Sequence, residues 1–263
     1  MDGTLTNAKK EITPRTRQAI RRAIEAGVQI VLASGRPVLG IQPLADALEL
    51  PRLGGYILAY NGGHIIDCKT GQSVYARMIP ASFYTEICDF ARSLGVSALT
   101  YDDTGVVTEQ PNAKYVHKEA YNNKIPIKGV DNLGAHVTWP VPKFMVVGEP
   151  EALAPAFAAM ERHFTGRLSV FLSEPYFMEI TPLGVKKDSA LQELLAHLGL
   201  QRENLMAIGD GLNDIPMLRC AGLAIAMENA YPETKAVADA ITASNEEDGV
   251  AVAVERYLVG EWA

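Results

Sequence analysis

The run Met206-Ala-Ile-Gly-Asp-Gly-Leu-Asn-Asp-Ile-Pro-Met-Leu218 constrains this chain more than any other. Leu205 to Ile208 is a short apolar stretch of the kind that forms a buried parallel strand. It breaks at Gly209, Asp210 and Gly211, and a helical pattern resumes near Ile215. That order puts Asp210, Asn213 and Asp214 in a loop at the carboxyl end of a strand, where open α/β sheets bind ligands. Oxygen donors gathered there suit a hard cation such as Mg²⁺. Gly, Asn and Asp also build ordinary turns, so the run alone leaves both readings open.

The remaining bulk properties narrow the function classes. At 263 residues the chain has room for one large domain or two modest ones, and 48% hydrophobic residues suffice for a real core. A net charge of −7 argues against a nucleic-acid surface and against an anionic membrane, but says little about a small anionic substrate, because a bound cation reverses the local field. Cys68, Cys88 and Cys220 are widely spaced and odd in number, which fits a reducing compartment better than a disulfide framework. With no bilayer-length apolar stretch and no signal-peptide pattern, the expectation is a cytoplasmic protein, monomeric or weakly dimeric.

Along the chain, Thr13 and Pro14 open a helix that ends near Gly27, and Val28 to Ala33 reads as a buried strand. That strand stops at Ser34-Gly35-Arg36-Pro37, a hydroxyl and free N–H groups ahead of a helix, which makes a candidate anion cradle. A strand from Tyr56 to Tyr60 ends at Asn61-Gly62-Gly63, followed by a hairpin over His64–Asp67 and Ser73–Ile79. From Pro80 the texture changes. Ala81 to Leu94 is amphipathic, short strand-like pieces follow around Asp102–Gly105, and a polar middle section carries His117 and Tyr121. His136–Trp139, Lys143–Val147, Arg167–Leu172 and Tyr176–Ile180 read as strands around a helix at Glu151–Phe164, without βα alternation. Alternation returns after Pro182: helix Ser189–Leu198, strand Leu205–Ile208, strand Gly222–Met227, helix Pro232–Ala240 and closing helix Gly249–Leu258. The fold expected is α/β: a Rossmann-like, doubly wound core from residues 1–80 and 184–263, with an α+β cap inserted at 81–183.

Taken together, these pieces resemble the haloacid dehalogenase-like phosphohydrolases, in particular the Cof-type branch with an α/β cap. Met1-Asp2-Gly3-Thr4-Leu5 matches the last five positions of the family's Asp-x-Asp-Gly-Thr-Leu motif. Val31-Leu32-Ala33-Ser34-Gly35-Arg36 matches its strand ending in Ser or Thr, Gly184-Val185-Lys186-Lys187 its helix-start lysine, and Gly209 to Asp214 its Gly-Asp-Gly-x-Asn-Asp. Tyr60-Asn61-Gly62-Gly63, Met227-Glu-Asn229-Ala230 and Asn245-Glu-Glu-Asp248-Gly249-Val250 match the branch. The resemblance implies a Mg²⁺-dependent hydrolase of small phosphorylated metabolites that works through an aspartyl-phosphate. It makes Asp2 the general acid and base, with its carbonyl on the metal, Asp210 a metal ligand, and Asp214 a direct or water-mediated one. Ser34, Gly35, Arg36, Asn61 and Asn213 become phosphate or substrate contacts. Lys187, in register where Lys186 is not, neutralises the developing charge.

One position of the pattern is unfilled. The nucleophile stands two residues before the general acid, and the printed chain holds neither it nor the apolar strand leading into it. A start assigned at an internal methionine is the favoured explanation; a truncated, catalytically dead sugar-phosphate-binding or regulatory protein is the other. Either way these residues alone are expected to be nearly inactive. A dedicated sucrose- or trehalose-phosphate type of phosphatase is the rival within the enzyme class. Spacing puts the cap between Ser34 and Lys187, where there is room for about a hundred residues. Tyr101, His117, Tyr121 and Trp139 are its candidate pocket residues. The five histidines show no zinc-ligand spacing.

Overall fold

A computed structural model describes residues 1–259; the last expected core positions, 260–263, lie outside the described residues. The chain begins with α1 (Pro14–Glu25), β1 (Val31–Ala33), α2 (Val38–Ala47), α3 (Leu50–Leu53), β2 (Tyr56–Ala59), β3 (His64–Asp67) and β4 (Ser73–Ala76). It continues through α4 (Tyr84–Ser93), β5 (Ser97–Tyr101), β6 (Val106–Thr108), α5 (Lys114–Asn123), β7 (Ile127–Gly129), α6 (Leu133–His136), β8 (Phe144–Val147), α7 (Pro150–Phe164), β9 (Leu168–Glu174) and β10 (Phe177–Pro182). The last third holds α8 (Lys187–Leu198), β11 (Met206–Gly209), α9 (Ile215–Cys220), β12 (Leu223–Ala226), α10 (Pro232–Lys235), β13 (Ala240–Ile241) and α11 (Gly249–Val254). Two compact units result, one of Met1–Gly35, Gln42–Tyr75 and Lys186 onward, the other of Arg36–Ile41 and Ala76–Val185.

In the first unit, α1 starts where the sequence says it should. The Thr13 hydroxyl accepts the Thr16 N–H at 3.1 Å, Pro14 takes the first helical position, and Ala19, Ile20 and Ala23 line the buried face. The Asp248 carboxylate, itself in a left-handed turn, accepts from the Thr13 and Thr16 hydroxyls and ties α11 to α1. β1 runs parallel to β2, and β11, β12 and β13 run parallel to one another. Leu58 and Ile65 of β2 and β3 pack with Leu191 and Leu194 of α8, Ala207 of β11 and Met217 and Leu218 of α9.

The parallel strands do not form a single sheet. One sheet runs β1-β2-β3-β4 and the other β11-β12-β13. Among the described residues no strand pairs with the outer edge of β1 or of β11. The expected strand Val28–Ala33 therefore shrinks to Val31–Ala33, paired on the β2 side alone. A slot opens alongside both strands, lined by Ile20, Val31, Ala33, Met206 and Ile208 and also by Met1 and Asp214. Its side-chain lining is largely apolar, as around a buried parallel strand.

The second unit carries one six-stranded sheet of order β7-β6-β5-β8-β10-β9. Its helices α4 and α7 cover the face that presents Phe144, Val146, Met178 and Ile180. Two expectations fail here. The polar section at Lys114–Asn123 is a helix, and with parallel β6 and β7 it forms a βαβ crossover, so βα alternation does occur. Its buried positions are Tyr115, Val116, Glu119, Ala120 and Asn123, too polar a set to show a clear apolar stripe. His136–Trp139 is not a strand either; the Asn132 side chain accepts the Ala135 N–H at 2.9 Å and caps the short α6 instead. Of the candidate pocket residues, Tyr101 is buried, its hydroxyl donating to Glu119 at 2.6 Å, and Trp139 donates to the Tyr101 carbonyl at 2.9 Å. Tyr121 is 84% exposed and His117 is exposed as well. Among the described residues no helix is long and apolar enough to cross a membrane.

Candidate active site

Four loops of the first unit meet through a continuous series of contacts. Asp210 follows β11 directly, because the strand must stop at the Gly209-Asp210-Gly211 break. The chain then makes a 3₁₀ turn over Leu212–Asp214 into α9, which returns the Asp214 carboxylate beneath the strand end. Asp214 Oδ2 accepts the N–H groups of Asp210 and Gly211, both at 3.1 Å, and Oδ1 meets Lys187 Nζ at 2.6 Å. Lys187 opens α8 with its side chain only 4% exposed, while Lys186 beside it is exposed. Burial, the largest single influence, pushes the Asp214 carboxyl up, but the Lys187 ammonium, the Met1 amine and the Gly211 N–H together hold it below the usual carboxylate range.

Asp210 has the opposite balance. Its largest influence is burial, which raises it above the usual range despite a hydrogen bond from the Thr4 hydroxyl. The Met1 amine and the Lys187 ammonium draw it back only in part, so a further cation beside it would be favourable. Gly3 explains how Thr4 comes so close. Gly3 is left-handed (φ +72°), and a Cβ on it would run into the Asp210 carboxylate. Gly3→Ala is therefore expected to cost about 1–3 kcal/mol of stability, read from denaturant unfolding. It should also displace the Asp2–Thr6 loop; a variant as stable as the parent would show that the loop has room.

The other side of the site is built from β1 and β2. Ser34 is buried at the end of β1, donating its N–H to Leu58 O at 2.9 Å and accepting from the Asn61 N–H at 2.9 Å. Asn61 is left-handed (φ +56°), and its amide rests directly on Gly35, where a Cβ would lie 2.9 Å from Asn61 Nδ2. Gly62 next to it packs against the Lys186 carbonyl and Ala190 at the start of α8, which brings the β2 loop to the lysine. Ser34, Gly35, Asn61, Lys187, Asp214, Asp210 and Thr4 thus follow one another around a single region.

Three expected site residues stand elsewhere or face away. The Asp2 carboxylate pairs with exposed Lys10 at 2.6 Å, so its side chain is turned toward solvent. Arg36 falls in the second unit, where its guanidinium donates to the Gly40 carbonyl at 3.3 Å. Asn213 is exposed, with its side chain against Gly211. Among the described residues no three His, Cys, Asp or Glu side chains converge as a metal cluster, so Asp2, Asp210 and Asp214 do not form a three-carboxylate cage. Two groups escaped the sequence reading. The Thr4 hydroxyl sits inside a matched motif, and Asn229, in a matched branch motif, donates to the Gly3 carbonyl at 2.7 Å.

The model of the haloacid dehalogenase-like hydrolases matches residues 1–254, from the Asp2 loop to the end of α11. The chain belongs to that family. A haloacid dehalogenase-like hydrolase from Bacteroides thetaiotaomicron is similar in structure, with a TM-score of 0.94 and 44% identity over 97% of this chain and 96% of that one. A Streptococcus pyogenes protein named only provisionally as a phosphatase is 32% identical over 262 residues, 98% of this chain and 96% of its own length. A 5-amino-6-(5-phospho-D-ribitylamino)uracil phosphatase of Bacillus subtilis is 30% identical over 288 residues, 100% of this chain and 98% of that protein. In this hydrolase, Ser34, Asn61, Lys187, Asp210 and Asp214 are motif residues that the β1, β2, β11 and α8 loops bring together, whereas the side chains of Asp2, Arg36 and Asn213 are not among them.

Proposed function

We propose that this hydrolase is a Mg²⁺-dependent phosphatase of small phosphorylated metabolites, sugar phosphates or similar phosphomonoesters, acting through an aspartyl-phosphate. The single observation that carries the reading is the Lys187–Asp214 pair buried at 2.6 Å beside a half-buried Asp210 whose carboxyl is raised by desolvation. The donor set fits the cation, since Asp210, Asp214 and the Asp2 carbonyl offer oxygen alone. Bound there, Mg²⁺ supplies neutralisation of phosphate charge. Asp210 would hold it with its side chain, and Asp214, whose two oxygens already serve Lys187 and two N–H groups, orients the lysine and would hold the cation directly or through water.

The chain's own groups divide the remaining work. Ser34 and the N–H groups of Gly35 and Asn61 bind phosphate oxygens, with the Asn61 amide fixing the loop. Lys187 neutralises charge on the reacting carboxylate and on phosphate. Asp2 moves the proton to the leaving oxygen, which requires it to leave Lys10, an exposed pair worth little. The nucleophile's place lies beside Lys187, and among the described residues the carboxylates acting on Lys187 are Asp214 and Asp210, both engaged by the cation in this reading. The described residues are expected to bind Mg²⁺ and phosphate and to turn over very slowly.

The first test is calorimetric. Mg²⁺ and inorganic phosphate are expected to strengthen each other's binding, and Asp210→Ala to weaken Mg²⁺ by about tenfold or more. Phosphate binding that ignores Mg²⁺ and Asp210 alike would defeat the proposal. One observation favours a second reading, a phosphate-binding protein without turnover: the Asp2 carboxylate is turned to Lys10. Phosphate release by a chain supplied with the nucleophile separates the two.

A further inference from the structure

We propose that Asn229 is a positioning residue, fixing the loop that carries Asp2 and Thr4 against the loop that carries Asp210. The inference rests on the phosphatase reading for its functional meaning, though its geometry does not. Asn229 stands in the loop after β12 and is exposed, yet both ends of its amide are committed to main chain. Its Nδ2 donates to the Gly3 carbonyl at 2.7 Å, and its Oδ1 accepts the Asn245 N–H at 3.0 Å. Asn245 completes the clasp, its own Nδ2 donating to the Thr6 carbonyl at 2.9 Å. Two asparagines from separate loops thus hold the two ends of Gly3–Thr6.

The same segment grips Asp210. The Tyr231 N–H donates to the Asp210 carbonyl at 3.1 Å, the Met227 N–H to the Gly209 carbonyl at 3.0 Å, and the Thr234 hydroxyl to the Gly211 carbonyl at 3.1 Å. Met227–Tyr231 therefore fastens both partners of the Thr4–Asp210 hydrogen bond, Asp210 through main chain and Thr4 through the peptide before it. That peptide is planar. Its carbonyl is held by Asn229 and its N–H points to the Met1 carbonyl at 3.3 Å, so its plane is set from both sides. Setting the plane aims the Thr4 hydroxyl at Asp210 Oδ1, and a left-handed Gly3 leaves no Cβ in the way. Without Asn229 the Gly3–Thr4 peptide would keep only its N–H contact to the Met1 carbonyl, which already accepts from Thr4, Leu5 and Thr6.

Asn229→Asp tests the donor while keeping the shape and the acceptor oxygen, and Asn229→Ala removes both. In either variant, amide exchange of Thr4, Leu5 and Thr6 is expected to rise about tenfold while α1 keeps its protection, and Mg²⁺ affinity in the presence of inorganic phosphate to fall by about tenfold. Asn245→Asp should repeat the exchange result at Thr6. Unchanged exchange in the loop, or a rise spread evenly over the molecule, would overturn the positioning role. So would faster loop exchange with Mg²⁺ affinity intact, because the clasp would then be structural only. If the parent protein binds no Mg²⁺ at all, the phosphatase reading and the functional half of this one fall together, and loop exchange decides whether the clasp exists.

Discussion

Lengthening the chain with an apolar run such as Val-Ile-Val-Phe-Asp, placed directly ahead of Met1, is expected to raise its melting temperature and to start phosphate release from phosphomonoesters in Mg²⁺. The stabilisation follows from the parted sheets. β1 and β11 each turn an unpaired parallel edge toward a slot walled by Ile20, Val31, Ala33, Met206 and Ile208. Burying four apolar side chains there contributes about 1.5–3 kcal/mol each, against about 1.5 kcal/mol of ordering cost per added residue. The middle of that range leaves a net gain of about 1.5 kcal/mol, which would move the transition by roughly 3–6 °C for a chain of this size. The chemistry follows from the end of the slot. Met1 lies there beside Lys187, Asp210 and Asp214, its amino group pushed below the usual amine range by burial and by the Lys187 ammonium. A peptide bond in place of that amine removes a buried charge, and the preceding carboxylate arrives next to the lysine.

Two controls divide the effects. The same run ending in Asn should give the same rise in melting temperature with phosphate release lower by about a thousandfold or more. A run interrupted by Pro should give neither, since Pro cannot complete a central ladder. An Asp-ending run that leaves the melting temperature untouched would mean that the slot is not a strand's place. A full rise without turnover, on any of a panel of phosphomonoesters, would favour the phosphate-binding reading over the enzyme.

How much of this was legible beforehand depended on whether short-range pattern or long-range pairing decided the outcome. The Gly209–Asp214 loop and the cap at Thr13 rest on local rules: a strand must end, and a helix's first N–H groups need an acceptor; the choice of Lys187 over Lys186 came from the family's spacing, and Lys187 is the buried one of the two. Those were readable. α5 was not, because Lys114–Asn123 buries Glu119 and Asn123 through hydrogen bonds to each other, at 2.7 Å, instead of through an apolar stripe. The partition of the parallel strands was not readable either, since which strand edges find a neighbour is set by long-range pairing; only the exposed Gln29 hinted that Val28–Ile30 would fall outside β1. The side-chain directions of Arg36 and Asp2 were a third thing that spacing does not give: the Arg36 guanidinium donates to the Gly40 carbonyl and the Asp2 carboxylate meets Lys10.

Replacing Lys187 by Met should be the most damaging single change, and its pH dependence should identify the cause. Lys187 and Asp214 are 4% and 9% exposed, so removing the lysine strands a buried carboxylate. Breaking such a pair from one side costs about 3–5 kcal/mol, whereas replacing both partners with neutral groups is nearly neutral. Denaturant unfolding of Lys187→Met, Asp214→Asn and the double variant should therefore show the double as more stable than Lys187→Met, and all three, made in the chain lengthened by the Asp-ending run, should be unable to support phosphate release. In the parent, the Asp214 carboxyl is held low, so it stabilises the fold above the unfolded carboxylate range and loses that contribution only as pH falls through its lowered value. In Lys187→Met the largest remaining influence is desolvation, which reverses the sign and makes the protonated form the favoured one in the folded chain. The deficit of Lys187→Met is thus expected to be greatest at neutral pH and to shrink as the medium is acidified toward about pH 4–5. A deficit constant across that range would assign the loss to packing of the lysine stem and not to an uncompensated charge.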